Sequence, residues 1–79
     1  MNNQINILRS MIEDLAYDNN IDTEIIWDGD HYYFADSSEM DDEEYDKLRT
    51  ELDKISQFAN ELIKTKIIES GDYGYLTEL

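Results

Sequence analysis

The chain has 79 residues with no cysteine and no proline, and 20 carboxylates against six Lys and Arg give a formal net charge of −14. A surface of that sign repels DNA, RNA and anionic membranes, so we do not expect direct binding to nucleic acid or membrane. The absence of cysteine excludes disulfides, thiolate zinc sites and a cysteine nucleophile. A hydrophobic content of 41% is too high for a disordered acidic chain, which predicts one folded domain over residues 1–79.

The first predicted element is an amphipathic helix over residues 4–17. Its apolar side chains recur at spacings of three and four, which is a helical period: Ile5, Leu8, Ile12 and Leu15. Residues 18–20, Asp-Asn-Asn, follow at once and favour a turn, because these side chains hydrogen-bond their own backbone and tolerate left-handed conformations. We expect the helix to end there. The segment before it lacks the basic and apolar regions of a signal peptide, and we expect a soluble, cytoplasmic protein.

A β-hairpin is predicted next, with strands over residues 23–27 and 31–35. Both stretches are rich in β-branched and aromatic residues, and Asp28-Gly29-Asp30 between them is typical of a tight turn. Alternation places Ile25 and Trp27 on the same face of the first strand, and Tyr32 and Phe34 on the same face of the second strand. It does not tell which face of the hairpin is buried. An isolated hairpin is marginal in water, so it must pack on a helix or pair with a third strand.

The third predicted element is a long helix that begins after Asp41 or Asp42. Carboxylates in a first turn are favoured by the helix dipole, and an apolar stripe then keeps the helical period through Tyr45, Leu48, Leu52, Ile55, Ala59 and Leu62. We expect this helix to continue to about Glu69, with Gly71 as its stop and a short strand or frayed tail over residues 72–76. The predicted fold class is therefore α+β, in the order helix, hairpin, long helix and short third strand.

The predicted second helix is about 40 Å long, which is longer than the first helix. Its far end could overhang the fold and meet a second subunit. Self-association as a homodimer through the apolar stripe is therefore one alternative for the role of this chain.

Catalytic and metal-binding chemistry is poorly represented. The single histidine, His31, has no serine, cysteine or second histidine spaced for a triad. Asp28, Asp30 and Glu39 match positions 1, 3 and 12 of a calcium-binding loop, but Tyr33 occupies position 6, where the loop turn requires glycine. We therefore expect no enzymatic activity, no cofactor and no specific metal site.

The distribution of charge is the strongest functional signal. Residues 10–46 contain 14 carboxylates and no Lys or Arg. Like charges at this density lower the stability of the compact state, which indicates either a basic binding partner or a solubility function. We expect nine of these carboxylates to gather into one partner-binding patch: Asp28, Asp30, Asp36, Glu39, Asp41, Asp42, Glu43, Glu44 and Asp46. Trp27, Tyr32 or Tyr33 are the candidate aromatic anchors beside them, although a tryptophan in so small a fold is also a candidate for the core.

In size, one-sided charge and absence of cysteine and proline, the chain resembles the small acidic inhibitors that phages and mobile elements use against host enzymes. These include anti-CRISPR, anti-restriction and glycosylase-inhibitor proteins. The resemblance implies a non-catalytic inhibitor, acting in the host cytoplasm if the chain is phage-encoded. Its carboxylates would take the place of phosphates in the basic groove of a nucleic-acid-binding partner.

A second, local resemblance covers residues 31–36, 42–48 and 51–52, which read HYYFAD, DEEYDKL and EL. This pattern resembles the nicotinamide-mononucleotide-binding segment of NAD-dependent DNA ligases. In that family an aromatic pair, an aspartate and a Tyr-Asp pair hold the nucleotide, which implies Tyr32, Tyr33, Asp42, Tyr45 and Asp46 here. The chain has no Lys-x-Asp-Gly motif, so the resemblance implies a nucleotide-binding module without adenylation activity.

Overall fold

The computed structural model describes residues 4–71 and 75–79 and has an α+β architecture, which confirms the predicted fold class. In chain order, the elements are α1 (Gln4–Asp18), β1 (Ile25–Trp27), β2 (Tyr32–Phe34), α2 (Asp42–Lys64), β3 (Ile68–Ser70) and β4 (Leu76–Glu78). β1 pairs with β2 and β3 pairs with β4, each in an antiparallel two-stranded sheet.

Helix α1 ends where the sequence predicts. The Asn19 side-chain amide donates to the carbonyl of Leu15 at 2.9 Å, and Asn20 adopts a left-handed conformation with φ of 52°. Both are the turn behaviours expected of asparagine. Leu8 is the residue of α1 that the core buries completely, while Ile5, Met11, Ile12 and Leu15 pack around it half-buried.

The β1–β2 hairpin buries the face that carries Trp27 and Tyr32. The register pairs Trp27 with Tyr32 and Ile25 with Phe34, which confirms the predicted alternation. Trp27 is only 6% exposed and meets the Tyr32 ring edge-on, with ring centroids 4.9 Å apart. Gly29 completes the tight turn at φ of 104°, a conformation that favours glycine. The hairpin thus packs on the helices, as a marginal two-stranded unit must.

Helix α2 has Asp41 as its N-cap, and the Asp41 carboxylate accepts the backbone N–H of Glu44 at 2.7 Å. The predicted apolar stripe is confirmed up to Leu62, and its buried members are Leu48, Leu52, Ile55, Ala59 and Leu62. α1, β2 and β3 all contact α2 and cover this stripe within one chain. A homodimer would therefore have to use another surface.

The end of α2 differs from the prediction. The helix stops at Lys64 rather than near Glu69, because Thr65 caps it and Lys66 takes a left-handed conformation with φ of 61°. Continuing the helical spacing past Leu62 would have placed Lys66 and Glu69 on the buried face. An extended chain after Lys66 instead brings Ile68 into the core at 0% exposure.

The segment after α2 forms a second hairpin, which the sequence analysis missed in part. β3 lies where the helix was expected to continue, and it pairs with the C-terminal strand β4. A short C-terminal strand was predicted over residues 72–76, of which 72–74 lie outside the described residues, and the observed strand begins at Leu76. Gly71 is therefore not a helix stop; its N–H donates to the Tyr75 carbonyl at 2.6 Å in the turn.

Ser56 joins the first hairpin to α2. Its hydroxyl donates to the Leu52 carbonyl at 2.9 Å and accepts the backbone N–H of Tyr32, also at 2.9 Å. Ser56 is only 4% exposed, so both groups are largely shielded from water. This contact gives a hydrogen-bond partner to the Tyr32 N–H, which points away from β1, and it fixes the position of the hairpin along the axis of α2.

We predict that Ser56→Ala lowers the free energy of unfolding by about 1–3 kcal/mol, because the Tyr32 N–H is left without a partner in a shielded site. Thr50→Ala is the matched control, since the Thr50 hydroxyl also donates to the carbonyl four residues earlier but Thr50 is exposed. Its effect should stay within about 0.5 kcal/mol. Urea unfolding measures both, and equal effects of the two variants would contradict the role given to Ser56.

Candidate functional site: an acidic end and an aromatic groove

The nine predicted partner-binding carboxylates form two groups rather than the single patch expected. Asp28 and Asp30 lie in the β1–β2 turn, where the Asn60 side chain donates to the Asp30 carbonyl at 2.8 Å. The other seven lie before α2 and in its first turns, and we call them the acidic end: Asp36, Glu39, Asp41, Asp42, Glu43, Glu44 and Asp46. Asn60 is 18 residues after Asp42, and at about 1.5 Å per residue the two groups are about 27 Å apart along the helix.

The acidic end combines carboxylates from separate parts of the chain. A shallow groove of about 270 Å³ is lined by Asp36, Glu39 and Glu44 together with Asp22 from the α1–β1 connection. Asp22 was not selected from the sequence, because its proximity depends on how the connection folds back. The Asp36 N–H donates to the Thr23 hydroxyl at 2.8 Å, which ties the two connections together.

Hydrogen bonding also tunes Asp36 itself. Its carboxylate accepts the backbone N–H of Ser38 at 2.9 Å, and hydrogen bonds from Ser38 hold the pKa of Asp36 below its ordinary value. This carboxylate is therefore ionised throughout the neutral range.

Little positive charge neutralises the acidic end. Among the described residues, lysine and arginine form one ion pair with a carboxylate, between Lys54 and Glu51 at 3.2 Å. Lys47 borders a shallow groove with Asp41, Glu43 and Glu44 but forms no ion pair with any residue that the structure describes. All seven residues of the acidic end are exposed.

The hairpin-turn carboxylates have a different setting. The Asp28 carboxylate accepts the backbone N–H groups of His31 and Asp30, each at 2.9 Å, and these hydrogen bonds lower the pKa of Asp28. The His31 ring nitrogen Nδ1 lies 3.3 Å from the same carboxylate. Asp28 thus closes the tight turn that Asp28-Gly29-Asp30 predicted, a structural role beside the partner-binding role predicted for its charge.

An open groove of about 450 Å³ lies between β2 and α2. It gathers several aromatic side chains beside one arginine, and its lining includes His31, Tyr32, Tyr33, Phe34, Tyr45 and Arg49. Tyr33 is 41% exposed, and Phe34 meets Tyr45 edge-on with centroids 6.3 Å apart. Arg49 follows Tyr45 by one helical turn and has no ion-pair partner among the described residues. That i, i+4 spacing was the sequence signal that could have identified Arg49.

The groove unites three of the five residues that the ligase resemblance implied. Tyr32, Tyr33 and Tyr45 line it, whereas Asp42 and Asp46 belong to the acidic end and do not. Burial raises the pKa of the Tyr32 phenol, which keeps that group neutral. Trp27, the other candidate aromatic anchor, is not available at the surface, because it is buried and its Nε1 donates to the Ser70 hydroxyl at 3.1 Å.

Neither a metal cluster nor a membrane span emerges from the residues the structure describes. No group of three or more His, Cys, Asp or Glu side chains there is arranged to hold a metal ion. No helix in the same residues has both the length and the apolar character needed to cross a bilayer. Comparison of the chain with protein-family models, with curated proteins and with solved structures finds no match. Both family resemblances therefore stay predictions.

We predict that Asp28→Ala lowers the melting temperature by a few degrees at pH 7 and progressively less in acid. Because the pKa of Asp28 is lowered in the folded protein, its carboxylate stabilises the fold above the pKa of the unfolded chain, about 4. That stabilisation is lost as the pH falls through the lowered folded-state pKa. Thermal unfolding from pH 7 to pH 2 should show the difference from wild type narrowing below about pH 4.

The control for this experiment is Asp30→Ala, which removes the same charge from a side chain that is 89% exposed. Asp30 accepts none of the turn N–H groups that Asp28 holds. A loss of equal size and equal pH dependence in Asp30→Ala would show that charge alone, and not the turn hydrogen bonds, accounts for the effect.

Proposed function

We propose that this protein is a non-catalytic acidic inhibitor that occupies the basic nucleic-acid-binding groove of a partner protein through its acidic end. The observation that carries the proposal is the concentration of seven exposed carboxylates, joined by Asp22, without an ion pair among the described residues. An uncompensated anionic surface attracts cationic surfaces over a Debye length of about 8–10 Å. It also speeds their association.

The spacing of the carboxylates on α2 is compatible with phosphate mimicry. Five of the six residues from Asp41 to Asp46 are acidic, and at about 1.5 Å per residue they extend over about 7.5 Å of helix axis. Five charges over this length have four intervals between them, or one charge per about 1.9 Å of axis. Duplex DNA carries one charge per about 1.7 Å. Asp22, Asp36 and Glu39 extend the charged surface beyond the helix, over a length that the helix alone does not provide.

Helix capping explains only part of this surface. Asp41 serves as the N-cap, and carboxylates in the first turn of α2 are favoured by the helix dipole. Asp36 and Glu39 precede the helix and Asp22 lies in another connection, so capping gives no reason for their charge. A binding function accounts both for the carboxylates in the first turn of α2 and for those outside the helix.

The test is capture of a basic nucleic-acid-binding protein that duplex DNA displaces from the complex. We expect the variant with Asp42, Glu43, Glu44 and Asp46 changed to lysine to lose this capture, with the Asp41 cap left intact. Binding by the wild-type chain should also weaken steeply between about 50 and 200 mM salt, because charge pairing drives it. Circular dichroism checks that the variant is folded.

The matched control changes four exposed carboxylates elsewhere to lysine: Asp14, Asp53, Glu61 and Glu69. Both variants move the net charge from −14 by +8 to −6. Retention of capture by the control and loss by the acidic-end variant is the expected outcome. Equal loss in both variants would mean that net charge matters and the acidic end does not.

A second candidate function is a nucleotide-binding module without adenylation activity, in the groove between β2 and α2. The observation that favours it is the meeting of Tyr32, Tyr33 and Tyr45 with Arg49 in one groove. Its volume of about 450 Å³ lies in the range of about 300–1,000 Å³ usual for small-molecule sites. Aromatic faces can stack on a base or nicotinamide ring, and a free guanidinium can pair with a phosphate.

Nicotinamide mononucleotide is the probe for this second function. We expect saturable chemical-shift changes at Tyr33 and Arg49 on titration, which Tyr45→Ala abolishes because it removes one wall of the groove. Tyr17→Ala is the control, since Tyr17 is 85% exposed and lies outside the groove. The absence of any shift at about 1 mM ligand, where binding is worth only about 4 kcal/mol, would end this reading.

A further inference from the structure

A further groove of the described chain runs along strand β1 and shares Tyr32 with the groove between β2 and α2. It has a volume of about 640 Å³ and is mainly apolar. Ile5, Leu8 and Ile12 of α1 line it, and so do Tyr75 and Leu76 near the C-terminus. Tyr75 is 71% exposed, which makes it an accessible aromatic side chain at the rim.

The backbone edge of β1 borders this groove. Glu24, Ile25, Ile26 and Trp27 all line it, although side chains of successive strand residues point to opposite faces. A groove lined by four consecutive residues therefore meets the backbone of β1 as well as its side chains. β1 belongs to a two-stranded sheet, so no other strand of the described chain pairs with this edge.

The hydrogen-bond pattern identifies which atoms are free at the edge. The Asp28 N–H donates to the His31 carbonyl, and the Ala35 N–H donates to the Glu24 carbonyl. In an antiparallel hairpin, residue pairs that are hydrogen-bonded to each other alternate with pairs that are not. By that alternation Ile26 bonds to β2, whereas the N–H and C=O groups of Ile25 and Trp27 point away from it. The corresponding outward N–H of β2, on Tyr32, is already bonded to Ser56.

The charges around the edge indicate what can pair with it. Glu24 and Asp28 flank β1 at its two ends and are exposed. Glu13 and Arg9 of α1 also line the groove, so three carboxylates stand against one cation around this edge. If a second copy of this chain paired antiparallel with β1 about Ile26, Glu24 of each copy would face Asp28 of the other. Like charges directly opposite each other in a sheet are destabilising, and each copy carries a net charge of −14. The edge therefore disfavours a second copy and favours a basic segment.

We propose that the open edge of β1 binds an extended basic segment of a partner protein as a third, antiparallel strand. Residues of that segment opposite Glu24 and Asp28 are lysine or arginine, and those opposite Ile25 and Trp27 are apolar. The segment thus has basic residues at its first and fifth positions and apolar residues at its second and fourth. Main-chain hydrogen bonds give such a complex its affinity and the alternate side chains give it specificity. The proposal rests on the proposed function for the basic character of the partner and adds a second contact to it.

The test uses the full chain and a synthetic seven-residue peptide with capped ends. The peptide has two lysines in its second and sixth positions, two valines in its third and fifth, and threonines elsewhere. At a peptide concentration about ten times the dissociation constant, hydrogen exchange of the Ile25 and Trp27 amides should slow about tenfold. The same peptide methylated on both valine nitrogens should not protect them, because it lacks the N–H groups that bond to β1.

A protein variant tests the charge rule separately. Glu24→Lys should weaken binding of the peptide by about threefold to tenfold, since an attractive cross-strand pair becomes a repulsive one. Glu69→Lys makes the same change of charge at an exposed strand residue outside the groove and should leave binding unchanged. Exchanging the peptide lysines for glutamates should restore binding to Glu24→Lys in part.

Equal binding of the methylated and unmethylated peptides, or no protection at about 1 mM peptide, would overturn the inference. Failure of the inference and failure of the proposed function are distinguishable. The β1 proposal alone is overturned if the peptide perturbs only amides of the acidic end while the acidic-end variant loses capture of the partner protein. The proposed function alone is overturned if the peptide protects the Ile25 and Trp27 amides while the acidic-end variant still captures the partner protein.

Discussion

Burial of the apolar stripe of α2 is the constraint on which the rest of the structure depends. Five of the eight buried hydrophobic residues of the described chain belong to this helix. α1, the first hairpin and β3 each bury their own apolar side chains by packing on it. With the stripe covered inside one chain, the carboxylates are left on the outside, and their mutual repulsion is opposed by this small core.

Local patterns predicted much of the fold, because α1, the first hairpin and the start of α2 are each encoded by spacing, turn chemistry and capping within a few residues. Of the second hairpin only a short C-terminal strand was predicted, since the choice between helix and strand after Leu62 depends on burying Ile68 against distant residues. The buried face of the first hairpin was also undecidable, because both faces carry aromatic residues and the Ser56 contact comes from 24 positions away. Tertiary packing decided each of these cases.

The candidate site follows the same division. The carboxylates of the acidic end all lie within residues 36–46 and were predicted directly, whereas Asp22 joins them only through folding of the α1–β1 connection. Asp28 and Asp30 were grouped with the others by composition, but the length of α2 separates them. The free edge of β1 could not be predicted from the sequence, because it is free only as long as no other strand of the described chain pairs with it. The acidic end and the β1 edge are the two surfaces that we propose for a basic partner.

The most direct test of the account is a map of the surface potential in solution. Cationic and anionic nitroxide probes enhance NMR relaxation of backbone amides according to the local potential, and their ratio reports that potential residue by residue. The account predicts the largest preference for the cationic probe at the acidic end and a much smaller one around Lys64 and Lys66. A uniform preference over the whole surface would contradict it, since the charge would then serve solubility rather than a binding surface.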